Sequence, residues 1–471
     1  MRGLRIAHGY AWPEWNASLF VQAIAKFLGL AAAVCFVSVA GASAAPATCQ
    51  ASDRLTKDAK ALCVRTASLL LPQPHLTPVQ IANGPDFDPA HPDQSRFAYF
   101  TGTDNISCYF RPHYAFDPVK SYSLKFQCWQ MTPDGAFFSR DGERLRVQQP
   151  KVVIASDTDG RKSASLIAND SAGAHEITAD RVKIKYLSPA SPNQDNRYNE
   201  VFTEVAANRI MWLLGFPSDR VYPVGSVSCV GCGRDPFRSH LATNKAPLNS
   251  SPVVFRVASA SRGAPWERIA AEGDATWSWS QVNRFYADGE WTHQQQVEFD
   301  AYRLALGLFH FFDGPDKQNR LVCADWPADA VSHSSVCAHP LIFVHDLGST
   351  FGSEKGMNFM SANPRGRFSA WKGQTVFRNG ESCELSVPLG GDRRVLKEAQ
   401  DLMVQRLKVL DATTVRAIFA VARFQIMDRE QLQRLRHEGS TNVEGAALDE
   451  WTRAFLDRIQ EIRNARNCRV S

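Results

Sequence analysis

Side chains suited to binding phosphate and a divalent metal follow one another in order along this 471-residue chain. Lys183 and Lys185 occur in the strand-like stretch "RVKIKYL", where alternation places both side chains on one face. A lysine that points inward from an apolar strand is costly to bury unless it meets an anion. Glu204 lies in the helical stretch that follows, and the nearby Glu200 is a competing choice of carboxylate. The pattern indicates an ion-paired lysine that can contact phosphate.

The stretch "FHFFDGPDKQNRLVC" supplies an acid and two carboxamides in one polar loop after an apolar helix. Gln318 follows Asp313 by five positions and stands beside Asn319. This separation is typical of a catalytic loop in which the acid faces the nucleophile and the amide faces a metal. Asp313 is preferred to Asp316, which is too close to Asn319. The alternative interpretation is a helix C-terminus followed by polar turn residues.

A second acidic motif, Asp346-Leu347-Gly348, ends the apolar run "LIFV" in the stretch "LIFVHDLGSTFG". The Asp of such a motif holds magnesium, and the Gly lets the chain turn away sharply. A single Asp-x-Gly is more often an ordinary turn. The helix before the polar loop and the strand before Asp346 favour the functional interpretation, because the elements occur together and in order.

Six segments carry a resemblance to known proteins: "KFQCW", "VKIKYL", "EVFTEVAANRIMWLLGFPSDRVYPV", "CVGC", "DGPDKQNRLVC" and "FVHDLGSTFG". Together they resemble a group of uncharacterised secreted bacterial proteins. That group is similar to a distant branch of the protein-kinase-like superfamily, nearer to HipA, CotH and the lipid kinases than to ordinary Ser/Thr kinases. The resemblance covers roughly residues 105–470. It implies an α+β, two-lobed protein-kinase-like fold, with a β-rich N-lobe containing one helix, a helical C-lobe and stabilising disulfides.

The resemblance also implies a role for each candidate residue, with ATP and Mg²⁺ or Mn²⁺ as cofactors. It implies that Lys185, with Lys183 beside it, contacts phosphate and that Glu204 pairs with Lys185. It implies that Asp313 is the catalytic acid or base. It also implies that Asp346 binds the metal together with Gln318 or Asn319. Four features differ from ordinary kinases. Gly314 and Pro315 follow Asp313 where kinases often have Leu-Lys, and Gln318 is a weaker metal ligand than the usual Asn. No His-Arg precedes Asp313, and no Gly-x-Gly-x-x-Gly loop precedes "RVKIKYL". These departures keep a secreted pseudokinase, a binding or scaffold module without catalysis, as the alternative.

The N-terminal segment predicts export. A basic region precedes the apolar stretch "FLGLAAAVCFVSVAGA", and an Ala-x-Ala type cleavage site follows near Ala44. The apolar stretch is short for a membrane span, so residues 1–44 are predicted to be a signal peptide, with an uncleaved anchor as the alternative. The predicted organisation continues with an N-terminal extension (45–104), a β-rich N-lobe (105–235) and a helical C-lobe (236–471), in which residues 238–290 have no clear place.

The cysteine count and the composition limit which binding partners and which cellular compartment are expected for this chain. Loss of Cys35 with the signal peptide leaves ten of the 11 cysteines, and an even count in an exported chain predicts disulfides. The predicted pairs are Cys323 with Cys337 and Cys383 with Cys468. Cys229 and Cys232 have zinc-ligand spacing, but no second Cys/His pair accompanies them, so a disulfide is favoured. The net charge of +5 is small for this length and argues against nucleic acid as a partner.

The predicted function is therefore an exported phosphotransferase that moves a phosphoryl group from ATP to a hydroxyl of a protein, glycan or lipid. A nucleotide is the expected small-molecule partner, and no stable membrane span is expected after signal cleavage. A hydrolase is disfavoured because the sequence lacks Gly-x-Ser-x-Gly and His-Glu-x-x-His.

Overall fold

The fold is seen in a computed structural model that describes residues 49–50, 56–84, 86–87, 90, 104–111, 124–139, 142–147, 150–156, 162–170, 173–187, 199–233, 251–269, 277–312, 314, 316–327, 336–352, 366–379, 382–387, 389 and 394–470. Contacts divide the chain into residues 1–46, all outside the described part, and a compact unit of residues 47–471. The predicted signal peptide and the alternative anchor therefore lie outside the described residues. Among those that are described, no helix is both long and apolar enough to cross a membrane.

The described part contains short strands first and long helices later, with strands also in the second half. The strands are β1 (Cys49–Gln50), β2 (Asn105–Arg111), β3 (Lys125–Met131), β4 (Phe137–Phe138), β5 (Arg144–Leu145), β6 (Lys151–Ser156), β7 (Lys162–Asp170), β8 (Gly173–Glu176), β9 (Arg181–Tyr186), β10 (Arg220–Val230), β11 (Val253–Gly263), β12 (Trp266–Arg268), β13 (Asn319–Pro327), β14 (Val336–Cys337) and β15 (Pro340–Val344). The helices are α1 (Lys57–Thr66), α2 (Pro78–Asn83), α3 (Glu200–Leu213), α4 (Trp279–Ala287), α5 (His293–Phe309), α6 (Phe368–Lys372), α7 (Lys397–Arg406), α8 (Ala412–Val421), α9 (Arg429–His437) and α10 (Val443–Asn464).

Five strands close into a barrel in the order β2-β10-β11-β9-β3, and β3 pairs back onto β2. The β2–β10 pair is parallel and the other pairs are antiparallel. Alternate side chains fill the interior, among them the fully buried Ile184, Tyr222 and Phe255. Because closure leaves no unpaired edge between these five strands, the barrel is a rigid support for whatever lies on its outer face.

The prediction of a two-lobed protein-kinase-like fold with a helical C-lobe is wrong. The strands form a closed five-stranded barrel, and one barrel strand, β11, comes from the segment that the sequence left unplaced. Strands β12, β13 and β15 form a further sheet within the part expected to be helical, so the content is mixed α/β. The stretch "VVFRVASASRG" carries small and polar residues in its second half because there Ser259 and Ser261 face the polar outer side of the barrel. Strand propensity depends on such surroundings and gives a weak signal here.

Helix α5 is the centre of the main hydrophobic core. It begins after Thr292, which forms a capping box with Gln295, and it ends at His310 in a left-handed conformation. The sequence predicts one apolar face, but every residue from 297 to 309 is buried. A helix that is buried on all sides needs neighbours on all sides, which explains why strands and helices alike surround α5.

Five disulfides hold the described part of the chain together. They are Cys49–Cys63, Cys108–Cys128, Cys229–Cys232, Cys323–Cys337 and Cys383–Cys468. The predicted pairs Cys323–Cys337 and Cys383–Cys468 are confirmed. Because Cys229 and Cys232 bond to each other, their sulfurs are not available as zinc ligands in this structure. Five disulfides are typical of proteins that fold in an oxidising compartment.

Candidate functional site

Lys185 lies on the outer face of the barrel, yet it is among the most deeply buried side chains of the molecule. Alternation along β9 turns Ile184 into the barrel and leaves Lys183 and Lys185 outside. Helix α3 packs over this face, and only 1% of Lys185 is exposed. A buried ammonium group is tolerable only where carboxylates compensate its charge.

Three carboxylates surround the Lys185 ammonium group. Its Nζ lies 2.7 Å from Glu200 Oε2, 3.1 Å from Glu204 Oε2 and 2.5 Å from Asp346 Oδ1. Glu200 and Glu204 are one helical turn apart on α3 and therefore share the face that meets the barrel. The two glutamates, which competed as candidates in the sequence, both pair with the lysine. Helix α3 thus supplies two of the three acids and the segment after β15 supplies the third.

Two further lysines extend this group into a cluster of three lysines and three carboxylates, here called the lysine–carboxylate cluster (Lys125, Lys183, Lys185, Glu200, Glu204 and Asp346). Lys183 Nζ lies 3.4 Å from Glu204 Oε1, and Lys125 Nζ lies 3.7 Å from Asp346 Oδ2. Lys125 pairs in register with Lys185 across β3 and β9. The sequence pattern does not single out Lys125, although the alternation in "SLKFQCW" places it on the outer face.

Asp346 has an unusual backbone conformation, with φ of +67°. A non-glycine residue in the left-handed region costs free energy and marks a position that the surrounding structure holds in place. Two buried hydrogen bonds hold the flanking residues: Val344 N donates to the Tyr302 hydroxyl (2.7 Å), and Thr203 Oγ1 donates to Gly348 O (2.7 Å). The backbone on both sides of Asp346 is therefore held by α5 and by α3.

Gly348 is needed for close approach and not for a turn with positive φ. A Cβ atom at this position would lie 2.8 Å from Glu200 Cγ and 2.9 Å from Lys185 Nζ. Real Cβ atoms essentially never come so near to other heavy atoms, so any side chain here would push against the ion pairs. The glycine of the Asp-x-Gly motif thus lets the backbone rest directly on the lysine–carboxylate cluster.

Replacement of Gly348 by alanine is expected to destabilise the protein. The added methyl group has to displace the Glu200 side chain or the segment around Asp346. Overpacking of this kind lowers the free energy of unfolding by about 1–3 kcal/mol. Chemical denaturation with the disulfides intact measures it. Gly373→Ala is the matched control, because a Cβ atom there meets only ordinary contacts of 3.7 and 3.9 Å. Equal stabilities for the two variants would contradict the close approach at Gly348.

Charge states within the cluster differ from residue to residue. Burial alone would lower the pKa of Lys185, but the carboxylates around it, Asp346 first, hold that pKa well above its ordinary value. Burial would likewise raise the pKa of Asp346, but Lys185 and the two other lysines hold it well below the usual range. Burial raises the pKa of Glu204 despite its lysine neighbours. At neutral pH Lys185 and Asp346 are charged, and Glu204 accepts a proton more readily than Asp346 does.

The candidate residues of the polar loop after α5 differ in how they relate to the cluster. Asp313 lies outside the described residues. Gln318 is next to the cluster in space, because its carbonyl oxygen accepts a hydrogen bond from His345 N (2.8 Å). Its side-chain Oε1 is buried and has no hydrogen-bond partner within the described residues. Asn319 is fully buried, and its Nδ2 donates to Trp277 O (2.9 Å), so this amide anchors the entry to α4.

A histidine–aspartate pair lies beside the cluster, and the sequence pattern does not identify it. His345 Nδ1 lies within hydrogen-bond distance of Asp219 Oδ2, and His345 immediately precedes Asp346. Burial lowers the pKa of His345 to about 4, with Asp219 opposing the shift and Lys183 adding to it. The pKa of Asp219 is lowered to about 2, against the effect of its burial, by the interaction with His345. The imidazole is therefore neutral at neutral pH, and the Nδ1–H faces the carboxylate.

Buried neutral histidines predict that the protein loses stability in mild acid. His310 is buried, and its burial together with the Arg458 charge lowers its pKa to about 4, as for His345. Both histidines ionise near 6.5 in the unfolded chain, so the unfolded state binds more protons between pH 6.5 and 4, and stability falls as pH falls through this window. Each contributes up to about 1.4 kcal/mol per pH unit. Urea denaturation at a series of pH values should show a shallower slope for His310→Gln.

His293→Gln is the control for this pH series, since the His293 side chain is 53% exposed and the substitution removes a histidine outside the core. The control should reproduce the acid sensitivity of the wild type. An unchanged slope in His310→Gln would show that His310 is protonated in the folded protein at these pH values.

Asp346 belongs to the cluster, and the Gln318 backbone contacts the neighbouring His345; both residues carry oxygen donors that suit a hard divalent cation. Asp346 Oδ2 and Gln318 Oε1 are oxygen ligands of the kind that Mg²⁺ and Mn²⁺ prefer. Gln318 Oε1 is buried without a hydrogen-bond partner among the described residues, so it is able to accept either a cation or a hydrogen-bond donor. A second group, Cys323 with Asp325 and Cys337, has metal-like spacing. Its two sulfurs form a disulfide and offer no thiolate.

Of the candidate residues from the sequence, the structure brings together Lys183, Lys185, Glu204 and Asp346, with Gln318 at the edge. The competing candidate Glu200 joins this group, and the structure adds Lys125 and the His345–Asp219 pair. No family model matches this chain, and no curated protein matches it either. What the cluster can do therefore follows from its own chemistry, and the resemblance to secreted bacterial proteins stays a prediction.

Proposed function

We propose that the lysine–carboxylate cluster is the site of an exported phosphotransferase that uses ATP and a divalent metal on a hydroxyl acceptor. The observation that carries the proposal is the fully buried Lys185 held between two glutamates of α3 and the ionised Asp346. Phosphoryl transfer requires such a fixed lysine for the phosphates and a fixed carboxylate for the metal. The proposal rests on this local constellation and on no particular overall fold, since one chemistry recurs on unrelated folds.

The outer edge of the cluster presents cationic side chains that phosphate oxygens could contact. Lys125 and Lys183 have side chains 15% and 13% exposed, so a ligand reaches them from solvent while Lys185 lies beneath. A phosphate group that contacts Lys125 replaces its long 3.7 Å interaction with Asp346 and leaves that carboxylate free to turn toward a metal. The same edge thus offers cationic and anionic partners side by side, as a metal–nucleotide complex requires.

Asp346 and Gln318 would hold the divalent metal. A bound Mg²⁺ or Mn²⁺ supplies charge neutralisation for phosphate oxygens. The low pKa of Asp346 keeps this ligand ionised well below neutral pH, and Lys185 orients it from the opposite side. Asn319 is the alternative to Gln318, because the hydrogen bond from its amide nitrogen to Trp277 O does not involve the amide oxygen that would bind a metal.

The proton of the acceptor hydroxyl has two candidate acceptors in the chain. Asp313 is the residue that the sequence pattern predicts for this role. His345 is a second candidate, because Asp219 holds its Nδ1–H and leaves Nε2 as the unprotonated nitrogen. A His345→Gln variant keeps the size and loses the base. If His345 is the base, this variant lowers kcat at neutral pH while Asp313→Asn does not; the reverse result assigns the role to Asp313.

Phosphate release and self-phosphorylation test the activity without knowledge of the natural acceptor. The mature protein, with its disulfides formed, is incubated with ATP labelled in the γ-phosphate and with Mg²⁺ or Mn²⁺. We expect metal-dependent transfer of label to water or to the protein, and a rise in Tm with metal and nucleotide together. Asp316→Asn is a control in the neighbouring loop that should keep both effects. Absence of both effects at millimolar ligand would refute the proposal.

A binding or scaffold role without phosphate transfer is the second candidate. The observation that favours it is the equal number of lysines and carboxylates in the cluster, which can satisfy one another as a purely structural network. This candidate predicts that metal and nucleotide raise Tm without any release of labelled phosphate. Export is proposed with either role, because the five disulfides require an oxidising environment to form.

A further inference from the structure

A cavity of about 370 Å³ opens between α4, α5 and the C-terminal segment. None of its lining residues belongs to the lysine–carboxylate cluster. From α4 the stretch Ser280, Asn283, Arg284 and Ala287 turns one face toward the cavity, since these residues recur at intervals of three and four. The volume falls in the range of about 300–1,000 Å³ that is usual for small-molecule sites.

Three arginines line this cavity, and one carboxylate lies beneath them. Arg303 comes from α5 and Arg469 from the C-terminal segment, and both lie near Asp300, whose side chain is fully buried. Arg303 Nη1 donates to Asp300 Oδ1 at 2.9 Å, and Arg469 Nη2 lies 3.7 Å from Asp300 Oδ2. Arg284 is exposed and has no ion pair with any residue that the structure describes. The described residues at this cavity thus include three arginines and, among the acids named here, Asp300.

Asp300 has little remaining capacity to neutralise the cavity. Its Oδ2 accepts hydrogen bonds from the Tyr286 hydroxyl (3.0 Å) and from Leu396 N (2.9 Å), in addition to the nearby Arg469. The arginines pack on aromatic faces: the Arg469 guanidinium lies 4.9 Å from the Tyr286 ring centre, and that of Arg303 lies 5.7 Å from the Phe299 ring centre. Such packing holds the planar donor groups in fixed directions at the cavity wall.

Arg469 is held in place by its backbone and by a neighbouring disulfide. Its N–H donates to Val395 O (3.0 Å), and its carbonyl oxygen accepts from Lys397 N (2.9 Å). The preceding residue, Cys468, is bonded to Cys383. The backbone that carries this arginine is thus held in place before any ligand arrives, which lowers the entropic cost of binding.

We infer that this cavity binds a small oxyanion, a phosphate or carboxylate group carried by a compact molecule. Guanidinium groups present paired N–H donors that match the two oxygens of such groups. The Asn283 amide and the Ser280 hydroxyl add neutral donors from α4. The aromatic rings of Tyr286 and Phe299 give the remaining wall an apolar character that suits an organic body on the ligand. This inference is independent of the proposed phosphotransferase activity.

Titration calorimetry of the full mature chain with inorganic phosphate and, separately, with citrate tests the inference. Binding of phosphate alone identifies a phosphate site, and binding of citrate alone identifies a carboxylate site; both support an oxyanion site. Arg284→Gln should weaken binding at least tenfold without loss of Tm, because Arg284 is exposed and supports no buried ion pair. Arg284→Lys should recover part of the loss.

Arg453→Gln is the matched control, since it removes the same charge from an exposed position on α10 that does not line the cavity. It should bind like the wild type. Equal weakening of binding by Arg284→Gln and Arg453→Gln would show that the loss of net charge alone weakens binding, and it would overturn the inference. No binding of either probe at about 10 mM, roughly ten times the Kd of a weak 1 mM complex, would overturn it as well.

Discussion

Lys185→Met should cost the protein about 3–5 kcal/mol in the free energy of unfolding, the loss typical of a buried ion pair that is deprived of one partner. The methionine fills the volume of the lysine but leaves Glu200, Glu204 and Asp346 close together without the central ammonium group. Lys125 and Lys183 compensate this charge only from the edge. The loss should therefore exceed that of any other single lysine substitution on the barrel.

The pH dependence of Lys185→Met provides a further check on the cause. Without Lys185, burial and mutual repulsion raise the pKa values of the carboxylates in the folded state above their unfolded values. The folded variant then binds more protons than the unfolded chain above pH 4.5, so its deficit relative to wild type shrinks as pH falls from 7 toward 5. Adding Glu204→Gln to the variant should also recover part of the stability, since one buried charge is removed.

Lys151→Met is the control for this series, because Lys151 is an exposed lysine at the start of β6. It should change the free energy of unfolding by less than about 0.5 kcal/mol. Denaturation by guanidinium chloride, followed by tryptophan fluorescence, measures both variants. If Lys185→Met were as stable as Lys151→Met, the three ion pairs of Lys185 Nζ would contribute no net stabilisation to the folded protein.

Asp346→Asn should abolish metal-dependent nucleotide binding and transfer, whereas Glu204→Gln should reduce them far less. Asp346 is ionised and reaches the edge of the cluster, so the amide removes the charge that a metal requires. Glu204 is fully buried with a raised pKa, and an amide there resembles the protonated acid. We expect a loss of at least 100-fold in kcat/KM for Asp346→Asn, about 3 kcal/mol, against less than about tenfold for Glu204→Gln.

Both variants keep the size of the native side chain, so a comparison of their Tm values shows whether folding is affected equally. Nucleotide binding by calorimetry and release of labelled phosphate give the two readouts. Equal losses from the two variants, or a larger loss from Glu204→Gln, would show that the two acids act as one structural network and would favour the scaffold role.

Local sequence patterns were sufficient for several parts of the site. The period of two along β9 places Lys183 and Lys185 together, and the helical repeat of α3 turns Glu204 toward them. The position of Asp346 at the end of a buried strand likewise brings it to the same place. Each of these inferences needs only the geometry of one element. The pairings Cys323–Cys337 and Cys383–Cys468 were also predictable, from the short insert and from the C-terminal helix.

The remaining features depend on contacts between distant segments. Closure of the barrel requires β3 to pair with β2 and β11 to pair with β9, and neither pairing has a signal within its own strand. The role of Lys125 depends on its register opposite Lys185, about 60 residues away. The reason for Gly348 is a contact with Glu200 that is invisible in the motif itself. For this reason the local motifs were a sound guide to the cluster and a poor guide to the overall fold.

Calorimetric titration of the mature protein with ATP, in the presence and absence of Mg²⁺, tests the central claim most directly. The lysine–carboxylate cluster predicts binding that requires the metal, that persists in Glu204→Gln and that disappears in Asp346→Asn. Binding of ATP that is the same with or without Mg²⁺ and is unchanged in Asp346→Asn, or no binding in the wild type at all, would contradict the assignment of this cluster as a phosphotransferase site.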